Sequence, residues 1–158
     1  MILEPYRPLP HLLEAMVAEA AWRWLLWWDS VEHGPEGLRH LLAQYAAYGT
    51  ALLAVEAGGD RMGVILADEG IVGLRTRILV WYPQSLWGAP AQDATNQGTA
   101  HLHTLGYGQV WGITPWRRAR AHAQRCGYRD MATFPRYVVI GGRPASLYFL
   151  VHEVEYGS

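Results

Sequence analysis

The fold is decided by one stretch, which begins with Arg77-Ile78-Leu79-Val80-Trp81-Tyr82 and continues with Pro83-Gln84-Ser85-Leu86-Trp87-Gly88-Ala89-Pro90. The β-branched and aromatic side chains of the first part predict a buried strand, and the prolines and the glycine of the second part end it. Residues 91–106 then predict a helix, and residues 109–114 predict another buried strand. In such a strand-turn-helix-strand unit, the turn points backbone N–H groups at whatever lies over the start of the helix.

The composition indicates one globular domain. The chain has 158 residues, 51% hydrophobic and 17% charged, so it can bury a substantial core. The net charge of -1 argues against binding nucleic acid by bulk electrostatics. All 13 basic residues are arginine, which excludes Schiff-base chemistry on a lysine. Cys126 is the only cysteine, which excludes intramolecular disulfides and multi-cysteine zinc sites, and no metal site is predicted.

The remaining residues predict alternating strands and helices without a repeat or a linker, and therefore one α+β domain over residues 1–158. In the helix at residues 91–106, Gly98 costs about 1 kcal/mol relative to alanine unless another group packs closely against it. The other predicted elements are strands at residues 2–7, 50–56, 61–67 and 71–82, helices starting at residues 11, 35 and 115, and a hairpin of residues 131–140 and 145–154.

Residues 21–29 contain four tryptophans, Trp22, Trp24, Trp27 and Trp28. One interpretation is a helix packed on both sides, since large aromatic residues usually fill cores. The other is a surface for a protein partner, because tryptophan is enriched at binding hot spots. The longest apolar stretch, residues 20–28, includes Arg23 and is too short to cross a bilayer, so no membrane partner is expected. No basic segment followed by an apolar one opens the sequence, so we expect no secretory signal.

The order of elements resembles the GNAT-type N-acetyltransferase superfamily. Residues 1–9 resemble its first strand and the step into its first helix, residues 105–114 its step from helix three to strand five, and residues 119–128, which end in Gly127-Tyr128, its last helix. The resemblance implies a mixed, mostly antiparallel sheet flanked by helices. It also implies that acetyl-CoA would lie against the fourth strand, with its pyrophosphate on the amides of the following loop.

The resemblance assigns that loop to residues 84–89. If acetyl-CoA binds, the resemblance implies Gln84, Gly88 and Ala89 as the cofactor-binding residues. Trp87 stands where the family has its first glycine, and Pro90 has no N–H to offer. We therefore expect a damaged phosphate cradle in which the indole fills the space that a phosphate needs.

The family's acid-base residues are not present at their expected positions. The tyrosine that many members carry on the last helix corresponds to Ala123, and the preceding asparagine corresponds to Trp116. His122 is adjacent, but neighbouring helical positions point about 100° apart, so catalytic residues stay unassigned. Five arginines lie on or just after this helix. They could bind the 3′-phosphate of CoA or an acidic patch on a partner, but we favour a solvent-exposed polar face. They are Arg117, Arg118, Arg120, Arg125 and Arg129.

Two functions follow from these observations. The first is a non-catalytic GNAT-like structural or accessory binding module, similar to small phage-encoded GNAT-like proteins that serve in virions. It would bind no cofactor, would bind a protein partner through the tryptophan stretch, would be cytoplasmic or assembled into a virion, and allows a homo-oligomer. The second is a divergent acetyl-CoA-dependent N-acetyltransferase in which an amine attacks directly, because direct transfer relies on positioning more than on a strong base. The sequence alone favours the first.

Overall fold

The computed structural model describes residues 1–27, 33–71 and 73–154 as a seven-stranded sheet with helices on both faces. None of the described helices is long and apolar enough to cross a bilayer. The elements are β1 (Ile2–Pro5), α1 (Pro10–Ala18), α2 (Trp22–Leu25), α3 (Gly34–Tyr48), β2 (Thr50–Val55), β3 (Met62–Ala67), β4 (Arg75–Trp81), a 3-10 turn (Gln84–Leu86), α4 (Ala89–Thr104), β5 (Gln109–Thr114), α5 (Arg117–Arg125), β6 (Arg129–Ile140) and β7 (Arg143–Glu153).

The sheet is mixed and mostly antiparallel, which confirms the predicted fold class. Its strand order is β1-β2-β3-β4-β5-β7-β6. Strands β1 to β4 pair antiparallel in chain order, β4 and β5 are parallel, and β7 pairs antiparallel with both β5 and β6. The parallel pair occurs where α4 connects β4 to β5, as a crossover between parallel strands requires.

Alternate residues of the strands face two separate hydrophobic cores. On one face, Leu53, Leu66 and Trp81 pack with residues of α1, α2 and α3. On the other face, Ile65 and Tyr82 pack with residues of α4 and of the strands beyond it. Because the strand period is two, neighbouring residues such as Ile65 and Leu66 belong to opposite cores.

The predicted boundaries agree with the observed ones to within a few residues, except at the start of β4. The sequence predicts a strand from residue 71, but β4 starts at Arg75. The amide of Ile71 donates to the carbonyl of Arg75, and the amide of Leu74 donates to the carbonyl of Ile71, so these residues form a turn. The apolar residues of this segment favour a strand in the sequence, but the amides of Ile71 and Leu74 donate within the turn and not to a neighbouring strand.

The tryptophan stretch is more buried than a partner-binding surface would be. Trp27 is 8% exposed, which contradicts the expectation that it lies on an exposed surface. Trp22 and Trp24 lie on the short helix α2 and are half-buried against the core under α1 and α3. Trp28 lies outside the described residues. Trp22 and Trp24 pack against the same one of the two cores, and binding of a protein partner stays a prediction.

Gly98 allows α4 to lie close to the sheet, and a larger residue there should be destabilising. A Cβ atom at Gly98 would lie 2.8 Å from Cδ1 of Ile65, which is itself 1% exposed. We expect Gly98→Val to lower the free energy of unfolding by about 1–3 kcal/mol through overpacking, measured by urea denaturation. The matched control is Ala100→Val, at an exposed position of the same helix, which changes helix propensity alone. Equal losses in the two variants would contradict the close packing of Gly98 on Ile65.

Candidate functional site

The candidate site starts where β4 and β5 separate. The two parallel strands are paired at Arg75–Gln109, Thr76–Val110 and Arg77–Trp111, and at no later position of the described residues. Nevertheless β4 continues to Trp81 and β5 to Thr114. The strands therefore diverge into a wedge, and backbone groups facing the wedge need water or a ligand as hydrogen-bond partner.

A cleft of about 270 Å³ extends along β4 on the α4 and α5 face. It joins an inner chamber of about 90 Å³, since Trp24, Val80, Ala119 and His122 line both spaces. The chamber reaches into the wedge itself, where Gly112 and Ile113 of β5 line it. A continuous path thus connects the start of α4 with the opening between the strands.

The start of α4 presents free backbone amides to this cleft. Gly88 precedes the helix with a φ of 98°, a left-handed conformation that favours glycine. The first intrahelical bond of the helix runs from the amide of Gln92 to the carbonyl of Gly88. The amides of Gly88, Ala89 and Ala91 donate to no described residue. Unpaired amides at the start of a sixteen-residue helix are suited to binding an anion.

Trp87 and Pro90 leave this loop more open than the sequence indicates. The indole N–H of Trp87 donates to the carbonyl of Tyr82 over 3.0 Å, and the ring forms a wall of the cleft, which remains open beside it. Pro90 occupies the second position of α4, where the N–H of any residue would lack a helical partner. Apart from its chain neighbours, no atom lies within 4 Å of the Cβ position at Gly88. The cleft therefore stays open beside the indole, and the expected obstruction of the phosphate position stays a prediction.

Gln84, the third predicted cofactor-binding residue, is placed differently. Its side chain is exposed on the 3-10 turn and does not line the cleft. Its amide donates to Oε1 of Glu19 over 2.7 Å. Of the three predicted cofactor-binding residues, Gly88 lines the cleft, whereas the side chains of Gln84 and Ala89 do not.

Trp24, Trp87 and Arg118 line the cleft, and Trp116 packs against Trp24 from outside it. The rings of Trp87 and Trp116 each meet Trp24 edge-on at a centroid distance of 5.8 Å. The guanidinium of Arg118 lies 4.9 Å from the ring centroid of Trp87, a cation–π contact. The indole N–H of Trp116 donates to the carbonyl of Arg23 over 2.9 Å and so connects α5 to α2. Trp24 therefore makes these contacts within the chain, as part of the cleft wall.

Four of the five arginines of the predicted cluster fall into two groups, and the fifth, Arg117, is exposed on α5. Arg118 and Arg125 line the cleft. Arg120 forms an ion pair with Asp130, and Arg129 forms one with Glu153, so both are engaged away from the cleft. The exposed-face interpretation therefore fits part of the cluster, whereas two cations lie where an anionic ligand could meet them.

His122 is the residue of the cleft wall whose charge can change near neutral pH. Its Nε2 lies 2.9 Å from the hydroxyl of Thr95, which lies 2.7 Å from the hydroxyl of Tyr82. Burial, assisted by the positive charge of Arg125, lowers the pKa of His122, which favours the neutral imidazole. Burial raises the pKa of Tyr82, and it raises the pKa of the Cys126 thiol to about 11, so both stay protonated at neutral pH. The cleft floor thus carries one neutral imidazole held by a buried hydroxyl pair.

Comparisons with known proteins agree with this architecture. No family model matches the sequence, and no curated protein sequence matches it significantly. A probable acetyltransferase of the GNAT family from Chromobacterium violaceum superposes with a TM-score of 0.73 at 18% identity, covering 96% of this chain and 81% of that protein. This chain has the GNAT fold. The resemblance noted in the sequence is thereby confirmed at the level of the fold.

Two further GNAT-fold neighbours were solved with coenzyme A compounds. Spermidine N-acetyltransferase from Vibrio cholerae, in complex with CoA and spermine, has a TM-score of 0.74 at 12% identity, covering 96% of this chain and 94% of that protein. RimJ from Mycobacterium smegmatis, in complex with CoA-disulfide, has a TM-score of 0.67 at 18% identity, covering 97% of this chain and 81% of that protein. None of these comparisons supports the expected virion role.

Proposed function

We propose that this GNAT-fold chain is an N-acetyltransferase that uses acetyl-CoA. The observation that carries the proposal is the continuous cleft from the free amides of α4 to the wedge between β4 and β5. The GNAT acetyltransferase neighbours, two of them solved with CoA compounds, support it.

The residues of the cleft fit the chemical groups of the coenzyme. The amides of Gly88, Ala89 and Ala91 would hold the diphosphate, because helix-start amides and the helix dipole favour anions. Arg118 and Arg125 supply positive charge at the same cleft for the phosphates. The unpaired backbone of β4 would bind the amide groups of the pantetheine arm, as an added strand does.

The inner chamber fits a short acyl group. Its volume is about 90 Å³, and its walls are mainly apolar, including Ile78, Ile113 and Leu150. The bound coenzyme would supply the thioester, which is the acyl donor. The chain itself would position the coenzyme and exclude water, which lowers the barrier through proximity and orientation.

Calorimetry tests the proposal directly. We expect acetyl-CoA and CoA to bind the wild-type chain with a Kd of about 1–100 μM, which corresponds to roughly 5.5–8 kcal/mol. Arg125→Gln should weaken binding about tenfold by removing a charged contact to phosphate. The matched control is Arg129→Gln, which changes an arginine paired with Glu153 outside the cleft. Absence of binding heat at millimolar CoA would contradict the proposal.

A further inference from the structure

One glycine of β5 leaves part of the inner-chamber wall without a side chain. Gly112 is paired directly with Leu150 of β7, and directly paired residues of neighbouring strands point to the same face of a sheet. Leu150 belongs to the core on the α4 and α5 face. A side chain at position 112 would therefore point to that face, and both residues line the chamber.

The space in front of Gly112 is empty. Apart from its chain neighbours, no atom lies within 4 Å of the Cβ position at Gly112. The adjacent positions of β5 with the same side-chain direction are Val110 and Thr114, and both carry β-branched side chains. The missing side chain at position 112 therefore contributes directly to the room inside the chamber.

The other walls of the chamber limit that room. On α5, Ala119 and Ala123 line the chamber and lie on the same side of the helix, since they are four positions apart. Three large residues complete the wall and are 8%, 4% and 0% exposed: Ile78, Tyr128 and Leu150. Because buried side chains are close-packed, these walls resist displacement by a larger ligand. The chamber is therefore suited to selecting ligands by size.

The volume of the chamber corresponds to a very short acyl group. It is about 90 Å³. An apolar cavity of about 150 Å³ holds benzene, so about 25 Å³ of such a cavity serves each carbon atom. At the same ratio, the chamber holds roughly three to four non-hydrogen atoms. An acetyl group has three such atoms, a propionyl group four and a butyryl group five, so the chamber matches the first two.

We propose that the chamber takes acetyl and propionyl groups, excludes longer unbranched acyl groups, and owes this limit to Gly112. The donors would then include the propionyl thioester of CoA, whose terminal methyl group would lie in the space in front of Gly112. A methyl side chain at position 112 would occupy the same space. This inference rests on the proposed acetyltransferase function and adds a second acyl group to it.

The transfer of either acyl group balances with the two substrates alone. The nitrogen of the acceptor amine forms a bond to the carbonyl carbon, and the bond from that carbon to sulfur breaks. An ammonium acceptor loses two protons in total: one ends on the sulfur of the released thiol, and the other goes to solvent. The added methylene of a propionyl group takes no part in these bonds, so the size of the chamber decides which group is transferred.

Calorimetry with CoA, acetyl-CoA, propionyl-CoA and butyryl-CoA tests the inference, because CoA has no acyl group and serves as the internal reference. For the wild type, we expect the affinity to rise about fourfold from acetyl-CoA to propionyl-CoA, since one more methylene is buried, and to fall for butyryl-CoA. In Gly112→Ala the maximum should move from propionyl-CoA to acetyl-CoA, with the affinity for CoA unchanged. In Ile78→Val, which removes one methyl group from the chamber wall, it should move to butyryl-CoA.

The matched control is Ala145→Val, which adds bulk to β7 outside the cleft and the chamber and should keep the maximum at propionyl-CoA. Equal affinity of the wild type for all three acyl compounds would overturn the inference while the proposed function stands. A maximum that stays at propionyl-CoA in both Gly112→Ala and Ile78→Val would overturn it as well. Failure of the proposed function is seen separately, as absence of CoA binding to the wild type.

Discussion

Replacing Ala119 with tryptophan should abolish CoA binding while the chain remains folded. Ala119 lines both the cleft and its inner chamber, and it is partly exposed, so a larger side chain there occupies the cleft instead of the core. Tryptophan has one of the largest side chains, and the cleft that it would enter has a volume of only about 270 Å³, so we expect the indole to obstruct it. We expect the affinity for CoA to fall at least about 100-fold, equivalent to about 2.7 kcal/mol.

The matched control for this variant is Ala121→Trp. Ala121 lies two positions further along α5 and lines neither the cleft nor the chamber, so it carries the same change in bulk and helix propensity without the obstruction. CoA at a hundredfold excess over its Kd stabilises the folded chain by about 2.7 kcal/mol, which raises Tm by about 5–10 °C in a chain of this length. The wild type and Ala121→Trp should show this rise, and Ala119→Trp should not. If CoA raised the Tm of Ala119→Trp as much as that of the wild type, the cleft would not be the CoA-binding site.

The order of elements could be predicted because its signals are local. The continuous apolar run of residues 62–67 and the helical period in residues 35–48 depend on neighbours within a few positions. Glycine and proline mark the ends of helices, as Pro115 and Gly127 do before and after α5. The family resemblance then supplied the topology, which local patterns do not contain.

The wedge could not be predicted, because it is a property of pairing between strands. Residues 109–114 have the composition of a buried strand whether or not both edges are paired. The direction of the Trp87 indole was also inaccessible, since it depends on the carbonyl of Tyr82 and on Arg118, a residue of a different helix. The sequence alone indicates a bulky side chain at position 87, and the structure shows that its indole N–H donates to the carbonyl of Tyr82.

The contacts of His122 were missed for the same reason. Tyr82, Thr95 and His122 lie on three segments and meet only in the folded chain. One signal was nevertheless present. Thr95 and Thr99 are four residues apart, on the buried side of a helix rich in alanine, and such a pair of buried hydroxyls requires polar partners from elsewhere. Tyr128 is the partner of Thr99, at 2.6 Å.

Replacing His122 with glutamine should lower the rate of acetyl transfer by about 10²–10⁴-fold and leave CoA affinity nearly unchanged. The hydroxyl of Thr95 has two lone pairs, so it can accept from the hydroxyl of Tyr82 and from Nε2–H of His122. In this arrangement Nδ1 of a neutral imidazole is available to accept the proton that the amine loses. The expected loss of rate is the contribution that a general base typically makes. Cys126 does not compete, because burial raises the pKa of its thiol to about 11 and the thiol form accepts no proton.

The pH profile separates this role from a structural one. Because burial lowers the pKa of His122, the loss of rate that comes from protonation of this imidazole should occur under acidic conditions, below the pKa of an ordinary histidine. His122→Gln should be slower and should lack this acidic limb. A variant that keeps the wild-type rate, or a slow variant that keeps the same acidic limb, would exclude His122 as the proton acceptor.

The same lowered pKa predicts a stability effect that needs no substrate. As the pH falls below about 6.5, the usual pKa of an unfolded histidine, the unfolded state binds a proton at this position before the folded state does. Stability is therefore complete above that pH, is lost as the pH falls towards the lower pKa of folded His122, and then shows no further loss from this group. His122→Phe should lose less free energy of unfolding than the wild type between pH 7.5 and 5, measured by urea denaturation, because the other six histidines contribute equally to both chains. An identical loss in the two chains would mean that folded His122 is as easily protonated as an unfolded one, and the neutral imidazole required for catalysis would have no support.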